Sequence, residues 1–322
     1  MSNIYRPEGS ILFESDNRDY LSSLSGLERA MLEGRILEST VLFCDSAMRL
    51  HVDLGDVCGI MEKSEAVFCR PYETVKDIAV ITRVGKPIAF KILRIEKNDH
   101  GKPIAILSRR AAQQECNEVF LSNMRAGDII EARVTHLESF GAFVDIGCGL
   151  SSLLTVDSIS VSRISHPCDR VSVGDLIYVV VKSKDDASNR IYVSMRELLG
   201  TWEENVASFE VGQTVSGIVR SVESYGVFVE LAPNLAGLAE LREGISNEQI
   251  SSLIGNRVAV YIKSIIPDRM KIKLVLIDAC RFTDSSHSPK IKYFIDCERT
   301  RHIPLWRYSP PLASKIVESI FE

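Results

Sequence analysis

GDIIEARVTHLESFGAFVDIGCGLSSLLT (Gly127 to Thr155) falls on GQTVSGIVRSVESYGVFVELAPNLAGLAE (Gly212 to Glu240) at a constant offset of 85 residues, without a gap. Nine positions are identical, among them Glu138/Glu223, Ser139/Ser224, Gly141/Gly226, Phe143/Phe228 and Val144/Val229. Self-similarity at a fixed period marks a duplicated structural unit. The match resumes with VGDLIYVVVK (Val173 to Lys182) on IGNRVAVYIK (Ile254 to Lys263), then RIYVSM (Arg190 to Met195) on KIKLVL (Lys271 to Leu276). Each copy reads as five short strands. In the earlier copy these are Ile129 to Leu137, Gly141 to Ile146, Ser152 to Val156, Leu176 to Lys182 and Arg190 to Ser194, all rich in the β-branched residues that suit a pleated surface. Gly141 and Gly226 open the second strand, where a strand glycine marks a bulge or sharp bend, and Gly147 closes it into a turn. Order and size suit a small closed barrel.

A weaker third copy lies upstream. LHVDLGDVCGIM (Leu50 to Met61) parallels AFVDIGCGLSSLL, RVGKPIAFKI (Arg83 to Ile92) parallels the fourth strand, and PIAILSRR (Pro103 to Arg110) the fifth. Met48 and His51 stand where the other copies have Phe140/Phe143 and Tyr225/Phe228, so this copy keeps the barrel and loses the exposed rings. The expected organisation is a helical arm (1–33), a degenerate barrel (34–110), a linker helix (111–125), a second barrel (126–198), a linker (199–210), a third barrel (211–280) and a C-terminal extension packing on it (281–322). In the arm, Ser15, Asp16 and Asn17 supply a capping cluster, and Tyr20, Leu21, Leu24, Leu27 and Met31 recur at helical spacing. Arg109 to Met124 and Met195 to Phe209 lack proline and read as linking helices. KYFIDCERTRHIPLWRYSPP reads as extended, followed by a short amphipathic helix over Leu312 to Phe321.

Composition bounds the function. At 322 residues with 45% hydrophobic and 25% charged residues, the chain is of folded globular type with room for several cores. No run reaches the roughly 20 apolar residues that span a bilayer. The start MSNIYRPEGS lacks the marks of a secretion signal, so a cytoplasmic protein without membrane contact is expected. The eight cysteines contain no C-x-x-C pair and read as reduced thiols. Cys280, His287, Cys297 and His302 have spacings that fit zinc patterns poorly, so no metal and no cofactor is expected. The net charge of −5 argues against binding by bulk electrostatics alone. Charge is uneven: −3 over 1–33, +3 over 34–110, −3 over 126–198, 0 over 211–280 and +2 over 281–322.

The chemistry therefore rests on rings. In a period-two strand Phe143 faces out while Val144 and Ile146 serve the core, and Phe140 lies at the preceding bend. Tyr225 and Phe228 repeat the arrangement. Arg190, and Lys271 in the third barrel, begin the fifth strand just after an acidic turn holding Asp185 and Asp186, or Asp268. Cation plus aromatics is the chemistry of a platform for single-stranded nucleic acid. Ordinary barrel packing or a domain interface is the competing reading of the same rings. His166 in ISHPCDR reads first as a loop cap before proline, and Trp306 and Tyr308 as packing on the third barrel. The carboxylate pairs Asp185/Asp186 and Glu203/Glu204 read as solvated surface.

ESFGAFVDIG, VGDLIYVVVK and RIYVSMREL resemble the RNA-binding repeat of the ribosomal protein S-one family, strongly in the second and third barrels and weakly in the first. The resemblance implies a mainly β chain of three tandem five-stranded OB-fold barrels joined by helical linkers. It also implies an RNA face of two aromatics, a histidine, an aspartate and an arginine. The second barrel matches at Phe140, Phe143, Asp185 and Arg190, with Thr155 in the histidine position. The third matches at Tyr225, Phe228 and Asp268, with Lys271 for the arginine and Glu240, a carboxylate that repels phosphates, for the histidine. Glu62 holds that position in the first barrel, which resembles copies that dock onto protein. The implied function is RNA binding in translation, holding messenger RNA near the small ribosomal subunit, with the arm and first barrel as the ribosomal contact. A second reading is an adaptor working with an RNA-processing enzyme. The chain itself is not expected to be an enzyme, because barrels and linkers leave too few residues for a catalytic domain.

Overall fold

The computed structural model describes residues 5–69, 74–98, 100–185, 190–240, 253–278 and 291–321. Its strands close into three barrels. The first is β1 (Leu37–Cys44), β2 (Leu50–Leu54), β3 (Val57–Met61), β4 (Pro87–Lys97) and β5 (Pro103–Ser108). The second is β6 (Ile129–Glu138), β7 (Gly141–Asp145), β8 (Ser151–Thr155), β9 (Leu176–Asp185) and β10 (Arg190–Ser194). The third is β11 (Thr214–Glu223), β12 (Gly226–Ala232), β13 (Leu235–Glu240), β14 (Arg257–Ile266) and β15 (Lys271–Asp278). Around each barrel the cyclic order is first, second, third, fifth, fourth strand. The third and fifth strands pair in parallel in all three barrels. This is the five-stranded Greek-key closure of an OB fold, which removes sheet edges by joining the first strand to the fourth. A mainly β chain of three such barrels is what the repeat implied.

The chain forms two compact units. One comprises residues 1–124, 131–133 and 145–151; the other comprises 125–130, 134–144 and 152–322.

In the first unit the N-terminal arm is two helices, Ser15–Leu21 and Leu24–Glu33, separated where Ser23 accepts a hydrogen bond from Gly26 N–H as an N-cap. Gly34 closes the second helix in the left-handed conformation. Tyr20, Leu27 and Ala30 join the core of the first barrel with Val41, Val52, Phe90 and Leu107. The amphipathic face is therefore spent within the barrel's own core. Ahead of the helices, Glu8 is buried and its carboxylate is held at both oxygens by Arg109, at 2.6 and 3.0 Å. Glu8 N–H donates to Asp145, and Asp145 accepts from Gly147 and Gly149 N–H. Beside them Glu38, 2% exposed, accepts from Gly9 and Ile11 N–H. Burial and the neighbouring Glu8 charge push Glu38 up to about 8, and burial pushes Asp145 up to about 7.

In the second unit one apolar cluster runs from Ile129, Val180 and Leu198 through Trp202 into Val219, Val229, Val260 and Leu274, and takes in Trp306, Tyr308 and Phe321. Trp306 and Tyr308 are buried, as packing predicts. The C-terminal extension also reaches the start of β6: Ile129 N–H donates to Arg301 O and Ile303 N–H to Gly127 O. The expected helix over Leu312 to Phe321 does not form. Glu318–Ile320 is a strand, β17, paired antiparallel with β16 (Leu305–Arg307). Its alternation of exposed and half-buried residues suits a strand capping the cluster, and tertiary pairing overrides the local helical pattern. The expected linker helix after Met195 is likewise broken: a 3-10 turn, Arg196–Leu199, and a short helix, Trp202–Val206, flank Gly200 at φ 83°. Thr201 and Glu204 cap the helix reciprocally in a capping box.

Asn234 is wholly buried and spends its side chain fully. Its oxygen accepts from Val161 N–H at 2.8 Å, and its amide donates to Arg196 O and Gly200 O, each at 2.9 Å. Its own carbonyl accepts from Tyr308 OH. Nearby, Glu230 is buried between Arg170 and Arg220, and Arg220 also pairs with Asp169 at 2.7 Å.

Two measurements follow. Asn234→Leu, similar in volume, strands one N–H and two carbonyls, so the urea midpoint of the second unit should fall by the equivalent of about 3 kcal/mol or more. Glu38 has a folded pKa above its unfolded 4.5, so its contribution is full below about pH 4.5 and is lost as pH rises through about 8. Glu38→Gln should therefore flatten the fall in melting temperature of the first unit between about pH 4.5 and 8; an unchanged slope means that Glu38 does not titrate there.

Candidate nucleic-acid interface

The ring pairs expected from the repeat are formed. Phe140 is 53% exposed in the turn before β7, and its ring meets Phe143 edge to face with centroids 6.1 Å apart and planes at 89°. Tyr225, 62% exposed, meets Phe228 in the same way at 6.3 Å and 88°. Offset edge-to-face contact is the favoured geometry between two aromatic quadrupoles. It leaves ring faces open to solvent.

Gly141 makes this turn possible. A Cβ there would lie 2.5 Å from Leu154 O, so the second strand can run against β8 only without a side chain at that point. The expected bulge lies elsewhere, in the first strand of the barrel. In β11 the register slips between Val219 and Ser221, so that Val219 pairs with Val229 and Ser221 with Phe228. Two successive residues after the buried valine then face outward.

Strand register places one outward row across each barrel. In the third barrel it runs Ser221, Phe228, Leu238, Lys273, Ser264. At the 85-residue offset Ser221 corresponds to His136, Phe228 to Phe143 and Leu238 to Leu153. Leu153 pairs with Tyr192 and Tyr192 with Ser183, which completes the row of the second barrel. His136 stacks on Phe143 at 6.3 Å with planes 26° apart, and its Nε2 lies 2.8 Å from Glu138. None of these residues is buried. His136 and Tyr192 extend the surface beyond the residues picked from the motif. The signal for His136 was present in the repeat, but strict alternation from Val134 turns it inward, whereas Thr135 and His136 are both exposed in β6.

The polar residues are distributed around this row. Arg190 is exposed and sits directly opposite Asp185 across β9 and β10, two residues along β10 from Tyr192, a spacing of about 7 Å. In the third barrel Lys271 lies opposite Ile266, while Asp268 is displaced into the 3-10 turn Pro267–Arg269, where its carbonyl accepts from Ser314 N–H. Acid and cation are thus paired across the ladder in one barrel and not in the other. Thr155 ends β8 and donates to Ser158 Oγ at 2.9 Å, and Lys182 donates to the same hydroxyl at 3.1 Å. Glu240 ends β13 and stands 3.7 Å from Lys263, the residue matching Lys182. That ion pair is more than half exposed and partly offsets the Glu240 charge.

Asp186, Cys280 and His287 lie outside the described residues. Among the described residues no cluster of three His, Cys, Asp or Glu side chains could hold a metal. Cys297 donates to Ile295 O, and His302 pairs with Asp128 at 2.9 Å. His166 is an N-cap, accepting from Cys168 N–H at 3.1 Å, with Pro167 at the first helical position. Among the described residues no helix is long and apolar enough to cross a membrane.

Comparison with known proteins agrees with the geometry. Residues 123–196 match the family model of the S1 RNA binding domain. The small ribosomal subunit protein bS1 of Staphylococcus epidermidis is 34% identical over 193 residues, 56% of this chain and 48% of that protein. The bS1 protein of Staphylococcus saprophyticus is 36% identical over 165 residues, 50% of this chain and 42% of that protein. The chain thus spans about half the length of the curated relatives it matches. A solved multidomain protein with nucleic acid binding domains from Streptococcus pneumoniae aligns over 76% of this chain and 74% of its own, at 14% identity and a TM-score of 0.24. The strand order and register of this chain, not that superposition, define its barrels.

Gly141→Ala should push β7 away from Leu154 at a cost of about 1 to 3 kcal/mol. The expected result is a lower melting temperature together with loss of the ring-current shifts between Phe140 and Phe143 in NMR spectra.

Proposed function

We propose that the chain is a ribosomal protein S1-like protein over the part of its length shared with those relatives, and that its second barrel binds single-stranded RNA through the face built on Phe140 and Phe143. The observation that carries this reading is the outward row His136, Phe143, Leu153, Tyr192 with Phe140 edge-on beside it. An imidazole and three aromatic rings on one face of a barrel have no core to serve. Bases can stack on them, at about 1 to 3 kcal/mol per base and with little sequence preference. Arg190, held opposite Asp185, then meets the phosphate backbone about two residues further along the strand. Thr155 and Lys182, joined through Ser158, offer a hydroxyl and a cation at the end of β8.

The third barrel repeats the design with Tyr225 and Phe228, and substitutes Lys273 and Lys271 for Tyr192 and Arg190. It is the more electrostatic of the two, with Asp268 and the Glu240/Lys263 pair at its margin. In the cell, on this proposal, the surface holds unstructured messenger RNA near the small ribosomal subunit, the particle to which the bS1 relatives belong. The adaptor reading, in which the chain brings RNA to a separate enzyme, uses the same face.

Fluorescence anisotropy of a labelled single-stranded RNA tests the site. Phe140→Ala/Phe143→Ala should weaken binding about 10- to 100-fold. Because the second barrel segment carries a net charge of −3, the salt slope should be shallow compared with that of a basic protein. No binding by the wild-type chain, or unchanged affinity in the double variant, removes the platform. Co-sedimentation with small ribosomal subunits separates the translational role from the adaptor.

A further inference from the structure

The sequence reading left the first barrel without a platform, because Met48 and His51 replace the two rings of the other copies. Met48 indeed turns inward: it adopts φ 63° and packs against the core. The strand register shows a different residue taking the vacated role. In β1 the register slips between Val41 and Phe43, so Val41 pairs with Val52 and Phe43 with His51. This is the slip seen in β11, where Val219 pairs with Val229 and Ser221 with Phe228. Phe43 therefore occupies the position of Ser221 and His136, and His51 that of Phe228 and Phe143. The second barrel has imidazole on its first strand and phenyl on its second; the first barrel has phenyl on its first strand and imidazole on its second. The pair is exchanged, not lost.

The exchanged pair is stacked and held by hydrogen bonds. The Phe43 ring lies 4.2 Å from the His51 ring with planes 11° apart, and Phe43 is 50% exposed. Asp45 holds the arrangement from the turn: it accepts from His51 Nε2 at 3.2 Å, from Arg49 Nε at 2.8 Å and from Ala47 and Arg49 N–H. From His51 the ladder continues through half-buried Ile60 and buried Ile106 to exposed Arg94, which pairs with Glu96. At the tip of the β4–β5 hairpin Lys97 and Lys102 are exposed. Two residues along from Ile106, Glu96 lies opposite Ile104, where the second barrel has Asp185 opposite Arg190. The acid of that pair is kept and the arginine is not, so the cations of this face are Arg94 and Arg49. The segment 34–110 carries +3, the opposite sign to the second barrel.

We infer that the first barrel carries its own base-stacking site for single-stranded RNA, formed by Phe43 over His51 with Arg49 and Arg94 facing the backbone. A half-exposed phenyl backed by a fixed imidazole presents one flat outer face, which a base can cover without any change in the barrel. The cationic balance favours a polyanion over an acidic or neutral protein surface. The inference rests on the RNA reading of the second barrel for its ligand class, and its test separates the two.

The experiment uses the full chain and a single-stranded RNA of about 30 nucleotides carrying 4-thiouridine, long enough to fill more than one barrel site of roughly 4 to 16 nucleotides. After irradiation, cross-linked peptides are mapped by mass spectrometry. Adducts are expected in the β1–β2 segment, and they should persist in Phe140→Ala/Phe143→Ala. In that background Phe43→Ala should lower the remaining affinity about 5- to 100-fold, and Phe43→Trp should retain it. Adducts confined to the second and third barrels, or affinity untouched by Phe43→Ala, overturn the inference and leave a protein-docking face. Adducts in the first barrel alone support it and overturn the second-barrel platform. Absence of any adduct or binding overturns both.

Discussion

The second unit depends on a side chain that has no partner to spare. Asn234 sits in the turn between β12 and β13, where a main-chain N–H and two carbonyls from other segments converge on one amide. An amide offers two donors and an acceptor in one plane, so the three groups must arrive at fixed angles. That requirement ties the loop at Val161, the turn at Arg196 and Gly200, and the β12–β13 turn into one arrangement. Tyr308 adds the C-terminal extension by donating to the Asn234 carbonyl. Hydrophobic burial around Trp202 and Trp306 supplies the driving force, but it is indifferent to small rotations. The amide is what makes the packing singular.

Buried ions play a comparable part in both units. Glu8 with Arg109, and Glu230 with Arg170 and Arg220, remove charge from water at a cost that their attraction offsets only when geometry is good. Such groups contribute little net stability, yet misplacing any one of them strands a buried charge. They penalise alternatives more than they reward the native state. For a chain of three similar barrels this matters, because similar apolar cores can pair wrongly, and distinct ionic fittings discriminate among them.

The barrels were legible because a duplicated sequence exposes its own pattern: Gly141/Gly226 and Phe143/Phe228 identify a turn and an outward ring before any coordinates. Phe143 and Phe228 followed from alternation, and Phe140 and Tyr225 from the bend that precedes the strand. Alternation failed where the ladder slips. His136 and Phe43 each lie two residues beyond a buried valine, which by simple parity directs them into the core. Tyr192 and Arg94 were invisible for another reason: their place in the row is set by pairing between strands far apart in sequence. The helix expected over Leu312 to Phe321 was a local preference overruled by pairing with Leu305–Arg307. Gly141 was recognised from the bend before the second strand, while the close approach of Leu154 that excludes a side chain there was not legible.

The slip after Val41 and Val219 divides the first strand into two halves of opposite parity. The half before the slip ends on a valine locked to the interior, where close packing tolerates little change of volume. The half beyond it faces water on consecutive positions and answers only to whatever lands on the surface. A barrel built this way can trade phenyl, imidazole and hydroxyl between neighbouring strands without repacking its interior. Its fold and its binding chemistry are written in separate stretches of the same strand, and they can drift independently.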